Sequence, residues 1–260
     1  MELFELGASG VETRDGETLI KGESGVTLVA SFEDEATARE ALAALSDYED
    51  ARLVFVEGDS WRDEWKRFFK PARIGERFVV RPSWEPYEAA PSDLVIVIDP
   101  GRAFGTGLHE IIRLVLRELE GRVREGIEVL DVGAGSGILS IAALLLGARR
   151  ALGIDIDADA VEISIENAAI NGLADRFEGS TAPVDAVEGV YPLVIANIEA
   201  RVLIPLAQAI GARVEPGGTL ILSGLLAGQE DEVQSHYAGF ERAALTHDGE
   251  WVALTLHREG

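Results

Sequence analysis

The stretch Val-Leu-Asp-Val-Gly-Ala-Gly-Ser-Gly at residues 129–137 decides the fold of this chain. Apolar residues, an acid and then glycines at every second position predict a strand that runs into a tight turn. Residues 138–147 have the composition of a helix. Glycine at 133, 135 and 137 lets the backbone approach a ligand closely where a side chain would collide. The segment therefore predicts a ligand-binding strand–turn–helix unit.

A second apolar run ends in Asp155, where an acid at the end of the next strand would meet the hydroxyl groups of a ribose. The dinucleotide pattern G-x-G-x-x-G needs glycine at position 138, which here is Ile138. Asp131 would lie poorly against a pyrophosphate but well against an ammonium group. S-adenosylmethionine has an α-ammonium group and no phosphate, so the pattern favours this methyl donor. A glycine turn that serves only tight packing and a dinucleotide site remain as alternatives.

The composition is that of an ordinary globular protein. With 260 residues, 47% of them hydrophobic and 27% charged, the chain is long enough for one large domain and a smaller one. The absence of cysteine excludes disulfides and thiolate metal sites, and the four scattered histidines do not indicate a metal centre. No basic leader and no apolar run of about 20 residues is present. We therefore expect a cytoplasmic protein without a metal.

The charge of the chain is strongly negative: 46 acidic and 23 basic residues give a formal net charge of −23. Such a surface repels nucleic acid and anionic membranes and attracts a basic partner. Solubility or a high-salt habitat explains the same excess equally well. We expect no direct binding to nucleic acid or membranes.

Three regions are expected along the chain. Residues 1–57 predict a small α+β domain, ferredoxin-like, with strands at 3–6, 18–20, 26–31 and 52–56 around a helix at 34–45; we interpret it as a substrate-recognition module. Residues 58–73 interleave basic and aromatic residues and predict an amphipathic linker helix that Pro71 ends. Residues 74–260 form the third region, which we interpret as the catalytic domain.

The third region alternates helical and strand-like segments, which predicts a doubly wound α/β sheet. Two final strands separated by a short turn predict an antiparallel hairpin, with an antiparallel strand at the sheet edge. This ending is typical of Rossmann-like class I methyltransferases rather than dehydrogenases. We expect strands at 78–81, 94–98, 127–131, 151–155, 193–196, 219–223, 241–246 and 251–257, and helices at 108–120, 138–147, 158–171, 201–213 and 229–237.

A second glycine cluster, Asp-Pro-Gly-Arg-Ala-Phe-Gly-Thr-Gly-Leu-His, spans residues 99–109. Gly105 and Gly107 flank Thr106 at the start of a helix, so this loop can bring backbone amides close to a ligand. Phe104 is placed to cover the donor. A flexible turn with a helix cap is the alternative interpretation.

Asn197 ends the strand expected at 193–196, at the edge where open α/β sheets bind their ligands. Its side-chain oxygen can accept a hydrogen bond from an incoming amine, although asparagine also commonly ends strands. We predict Asn197 and Thr106 as catalytic residues that orient the amine. The predicted donor-binding residues are Phe104, Gly105, Thr106, Gly107, Asp131, Gly133, Gly135, Asp155 and Asn197.

These segments together resemble the ribosomal protein L11 methyltransferase family along nearly the whole chain. The resemblance rests on Trp-Lys-Arg-Phe-Phe-Lys-Pro at 65–71, on 99–109, on 129–137 and on Ala-Asn-Ile at 196–198. Segment 99–109 is the most specific, because generic methyltransferases lack it. The resemblance implies S-adenosylmethionine as donor and transfer to α-amino and lysine ε-amino groups of ribosomal protein L11. It also implies that Gly133, Asp155 and Asn197 contact the donor or frame the site.

The chain departs from the family pattern after His109. Two threonines are typical there, and this sequence has Ile111 and Ile112; Arg102 also replaces an apolar residue. Isoleucine supplies no hydroxyl group, and losing a hydrogen bond made in the transition state costs on the order of 10²-fold in rate. Two other hypotheses therefore stay open: a catalytically impaired donor-binding protein that docks a basic partner, and a methyltransferase with a different substrate.

Overall fold

The computed structural model describes residues 6, 10–14, 27–32, 35–45, 70–99 and 110–260. The chain divides into two compact units, Met1–Lys66 and Arg67–Gly260. In the first unit, strand β1 (Gly10–Arg14) pairs antiparallel with β2 (Thr27–Ser31), and helix α1 (Glu35–Ala44) follows.

The expected strand at 26–31 and helix at 34–45 are confirmed within a residue or two, whereas β1 was not predicted. The strands expected at 18–20 and 52–56, and nearly all of the one at 3–6, lie outside the described residues. The same holds for most of the linker helix expected at 58–73. The last two residues of that expected helix, 72 and 73, belong instead to a strand that begins at Ala72.

The second unit begins with a three-stranded sheet. Strand β3 (Ala72–Ile74) pairs antiparallel with β4 (Phe78–Arg81), which pairs parallel with β5 (Leu94–Val97). The carboxylate of Glu120, on a following helix, accepts hydrogen bonds from the backbone N–H groups of Glu76 and Arg77 at 2.8–3.1 Å. This small sheet is therefore fixed to the helical layer beside it.

A seven-stranded sheet with helices forms the rest of the unit. Its order is β11-β12-β10-β9-β6-β7-β8, in which β12 runs in the direction opposite to the other six strands. The strands are β6 (Glu128–Val132), β7 (Arg150–Ile154), β8 (Phe177–Ser180), β9 (Tyr191–Asn197), β10 (Val214–Leu226), β11 (Phe240–Asp248) and β12 (Trp251–Arg258). The helices are α2 (Glu110–Arg122), α3 (Ile138–Leu145), α4 (Ala158–Ile170), α5 (Ala200–Arg213) and α6 (Glu230–Ser235).

The core consists of two apolar clusters, one on each face of this sheet. Successive residues of β6 point to opposite faces, so Val129 belongs to one cluster and Leu130 to the other. The first cluster includes Phe78 of the small sheet and Ile141 of α3, and the second includes Leu203 of α5. Because β6 is buried on both faces, it holds the turn that follows it in a fixed position.

The doubly wound α/β architecture and the terminal hairpin are confirmed. The antiparallel strand, expected at the sheet edge, is instead β12, the second strand from the edge, because β11 adds outside it. Strands β3 and β8 were not predicted. None of the helices in the described part of the chain has the length and apolar character that a membrane crossing requires.

Candidate active site

The glycine turn after β6 lies at the edge formed by the carboxyl ends of the parallel strands. Gly133, Gly135 and Gly137 have φ of 75°, 54° and 77°, a left-handed conformation that glycine adopts without strain. The N–H groups of Gly133 and Ala134 both donate to the carbonyl of Ile154, at 2.8 and 3.0 Å. The turn is therefore tied to the end of the neighbouring strand β7.

Two of these glycines make room for protein atoms. A Cβ atom at Gly133 would lie 2.4 Å from Cγ2 of Ile198, and one at Gly137 would lie 2.9 Å from Cβ of Ser164. The sequence pattern had been interpreted as room for a ligand. At these two positions the missing side chain instead lets the ends of β6 and β9, and helices α3 and α4, approach each other.

Asp155 follows β7 directly. Its carboxylate links the glycine turn after β6 to the turn that begins at Asp155 itself. Its Oδ2 accepts a hydrogen bond from the N–H of Gly135 at 2.9 Å, and its Oδ1 accepts one from the N–H of Asp157 at 3.1 Å. Each carboxylate oxygen has a second lone pair for a ligand hydroxyl. Asp157 caps α4 by accepting from the N–H of Asp159 at 3.0 Å.

Asp131 is a fully buried carboxyl group within β6. Its Oδ2 accepts a hydrogen bond from the Ser140 hydroxyl at 2.8 Å, whereas its buried Oδ1 has no partner among the described residues. Burial raises the pKa of Asp131 to about 6, and the hydrogen bond from Ser140 opposes that rise. An unpaired buried carboxyl oxygen is costly, so this position is suited to a cationic or N–H donor.

Asn197 ends β9, the strand that pairs with β6. Its Oδ1 is buried and has no hydrogen-bond partner among the residues that the structure describes. The next residue, Ile198, donates its N–H to the carbonyl of Ser223 on β10 at 3.1 Å. Two adjacent central strands thus each carry one buried oxygen that can accept a hydrogen bond from a ligand.

Ile156 was not singled out from the sequence, although it is 94% exposed immediately after Asp155. The sequence offered one signal for it: an isoleucine that stands between two aspartates in a tight turn. It offers an apolar surface beside the Asp155 carboxylate, which suits a flat ring attached to a ribose.

The predicted residues Phe104, Gly105, Thr106 and Gly107 lie outside the described residues, as does Arg102. The base of their loop is described: the Ser83 N–H and hydroxyl donate to Asp99 at 2.6 and 2.7 Å. Beyond the loop, Ile111 and Ile112 are 6% and 3% exposed. Ile112 packs in the first core cluster, so this isoleucine serves the hydrophobic core.

No group of three or more His, Asp or Glu side chains among the described residues is arranged to hold a metal ion. The described side-chain acceptors near this edge are Asp131, Asp155 and Asn197. Asn197 and Asp131 lie on the adjacent strands β9 and β6, and Asp155 directly follows β7, the next strand in the sheet.

Comparison with known proteins decides the family. The profile described as ribosomal protein L11 methyltransferase (PrmA) matches residues 3–259. This chain belongs to the ribosomal protein L11 methyltransferase family. The member of that name from Sorangium cellulosum is 52% identical over 250 residues, which covers 92% of this chain and 78% of that one. The one from Geotalea daltonii is 42% identical over 217 residues, covering 78% and 69%.

A solved structure confirms that this chain has the fold of the L11 methyltransferase family. The ribosomal protein L11 methylase of Lactobacillus delbrueckii subsp. bulgaricus aligns with a TM-score of 0.69 at 30% identity, over 74% of this chain and 100% of that one. Membership confirms the prediction of a methyltransferase, and it does not support the dinucleotide-binding alternative.

Proposed function

We propose that this protein transfers methyl groups from S-adenosylmethionine to amino groups of ribosomal protein L11, both the α-amine and lysine ε-amines, in the cytoplasm. The family match over residues 3–259 carries this proposal. The relatives from Sorangium cellulosum and Geotalea daltonii are named for L11 methylation. The arrangement of acceptors at the sheet edge supports the same donor.

In this proposal each group of the donor meets a particular residue of the chain. The buried Oδ1 of Asp131 has no hydrogen-bond donor in the part of the chain that the structure describes, and the ammonium group of S-adenosylmethionine would supply one. The carboxylate of Asp155 has lone pairs for the ribose hydroxyls, and exposed Ile156 offers an apolar surface for the purine. The glycine turn at Gly133 and Gly135 runs alongside the part of the donor that lies between its ammonium group and its ribose. Phe104, Gly105, Thr106 and Gly107 complete the donor site from the other loop.

The bound donor supplies an electrophilic methyl group on a sulfonium sulfur. The protein must hold a neutral amine in line with the methyl–sulfur bond, which is mainly a matter of positioning. A free lysine amine has a pKa of about 10.4, so the site must favour its uncharged form by desolvation. Asn197 Oδ1 accepts a hydrogen bond from the amine N–H and so directs the nitrogen lone pair towards the methyl group. Thr106 contributes to the same orientation.

The charge of the chain suits a basic protein substrate. The first 60 residues hold 15 acidic and four basic residues. Residues 1–57 act in this proposal as the substrate-recognition domain, 58–73 as the linker and 74–260 as the methyltransferase domain. The excess of acid attracts a basic ribosomal protein and disfavours direct contact with nucleic acid.

Mass spectrometry of purified L11, incubated with this protein and S-adenosylmethionine, tests the proposal. We expect mass gains in steps of one methyl group. Calorimetry of donor binding accompanies it. No mass gain together with intact donor binding would overturn L11 as the substrate and leave a binding protein or a different acceptor.

A further inference from the structure

We infer that Gly224 is a positioning residue for methyl transfer, acting through the backbone of Ile198 to fix the amide of Asn197. This inference rests on the proposed function. Gly224 lies near the carboxyl end of β10, and Asn197 ends the adjacent strand β9.

Ile198 is held between two glycines from different strands. A Cβ atom at Gly133, after β6, would lie 2.4 Å from the Ile198 side chain. A Cβ atom at Gly224 would lie 2.7 Å from both the carbonyl carbon and oxygen of Ile198, and 3.1 Å from its nitrogen. One glycine therefore accommodates the side chain of Ile198 and the other accommodates its backbone.

The close approach at Gly224 leaves the Ile198 peptide little freedom to move, because both sides of the contact are backbone. Gly224 has φ of 81°, and the residue before it, Ser223, accepts the Ile198 N–H at 3.1 Å through its carbonyl. Ser223 is itself fully buried and donates its hydroxyl to the carbonyl of Val252 at 3.1 Å. The peptide that follows Asn197 is thus fixed on several sides.

Fixing the peptide that follows Asn197 matters for the proposed methyl transfer. Asn197 Oδ1 has no hydrogen-bond partner among the described residues, so its direction depends there on the backbone that carries it. In-line transfer is sensitive to alignment, and a misplacement of about 1 Å costs on the order of 10²-fold in rate. Donor binding rests in this proposal mainly on Asp131 of β6 and on Asp155 after β7, so it is less sensitive to the alignment of Asn197.

The experiment compares Gly224→Ala with Gly217→Ala. Gly217 lies on the same strand with φ of 77°, but an added Cβ there meets nothing within 4 Å. The control therefore carries the same backbone strain without the contact. For Gly224→Ala we expect kcat with L11 to fall by about 10²-fold while the Kd for S-adenosylmethionine changes less than about 3-fold. Gly217→Ala should keep kcat within about 3-fold of the wild type, because backbone strain alone acts on stability.

Ile198→Ala is the second variant, for the case that Gly224→Ala does not fold. It removes the side chain that packs on Gly133 without adding any atom, and we expect kcat to fall about 10-fold with the donor Kd unchanged. The inference is overturned if a folded Gly224→Ala keeps the kcat of Gly217→Ala, if Ile198→Ala keeps it where Gly224→Ala does not fold, or if the donor Kd rises in proportion to the loss of kcat. An inactive wild type would instead refute the proposed function.

Discussion

The side-chain amide of Asn171 pairs with the backbone of Val97 as a neighbouring strand would. Its Oδ1 accepts the Val97 N–H and its Nδ2 donates to the Val97 carbonyl, both at 2.8 Å. One turn earlier, Asn167 donates through Nδ2 to the carbonyl of Ser136 in the glycine turn, also at 2.8 Å. Helix α4 and its C-cap residue Asn171 thus connect β5, which precedes the loop at 99–109, to the turn after β6.

Asn171→Ala is expected to weaken both folding and donor binding. It leaves the N–H and carbonyl of Val97 without their partner, which lowers the free energy of unfolding by about 1–3 kcal/mol. Urea denaturation measures this loss, and calorimetry measures the donor Kd. The control is Ile170→Ala, at an adjacent side chain that is 53% exposed. Equal effects of the two changes would contradict the connecting role of Asn171.

Asp155→Ala is expected to abolish donor binding at millimolar S-adenosylmethionine, because it removes the ribose acceptor and the hydrogen bond that closes the turn at Gly135. Asp157→Ala is the matched control two residues away. It removes only the cap of α4, at a cost of about 1 kcal/mol in stability, and should keep the donor Kd. Unchanged donor binding in Asp155→Ala would refute the placement of the ribose.

The raised pKa of Asp131, about 6, gives stability a defined pH dependence. Between pH 4 and 6 this side chain binds more protons in the folded protein than in the unfolded chain, where an aspartate has a pKa of about 3.9. The contribution of Asp131 to the free energy of unfolding is therefore greatest below pH 4 and falls by about 3 kcal/mol as pH rises to 6. Asp131→Asn should remove this part of the pH dependence in urea titrations.

Donor binding should release a proton from Asp131 near pH 6, because the ammonium group favours the ionised carboxylate. Affinity for S-adenosylmethionine should then rise with pH and level off above about pH 7. Calorimetry in two buffers of different ionisation enthalpy counts the proton. Proton release that persists in Asp131→Asn would assign it to another group.

Ile112→Thr, which restores the family's typical residue, is expected to destabilise the fold by about 1–2 kcal/mol without raising kcat. The reason is that Ile112 is 3% exposed and packs in the first core cluster. Val115→Thr is the control, on the same helix and fully buried. An increase in kcat for Ile112→Thr alone would show that this position belongs to the active site.

The parts of the fold that were predicted correctly have strong local signals. The turn at 133–137 and Asp155 follow apolar runs, α3 is apolar almost throughout, and α5 has buried residues at helical spacing. Strand β8 was missed because its sequence, Phe-Glu-Gly-Ser, contains a single large apolar residue. It is an edge strand, and Gly179 gives the room in which Val161 and Ile165 of α4 pack on it.

The parts of the site that were missed depend on contacts between distant segments. The sequence marks Gly133 as unusual, but nothing near it shows that Ile198 occupies the space beside it. The unpaired oxygens of Asp131 and Asn197 are equally invisible until β6 and β9 are paired. Residue types and spacing could predict which residues reach the sheet edge, whereas their hydrogen-bonding needs required the packed structure.

The position of β12 affects the order in which this domain can assemble during synthesis. β12 follows β11 along the chain but lies between β11 and β10 in the sheet. Until residues 251–258 have left the ribosome, β11 has no place in the sheet and the long strand β10 keeps one edge open. Open strand edges promote association with other chains. A nascent chain in which residues 251–258 are not yet available therefore presents the open edge of β10 to other chains.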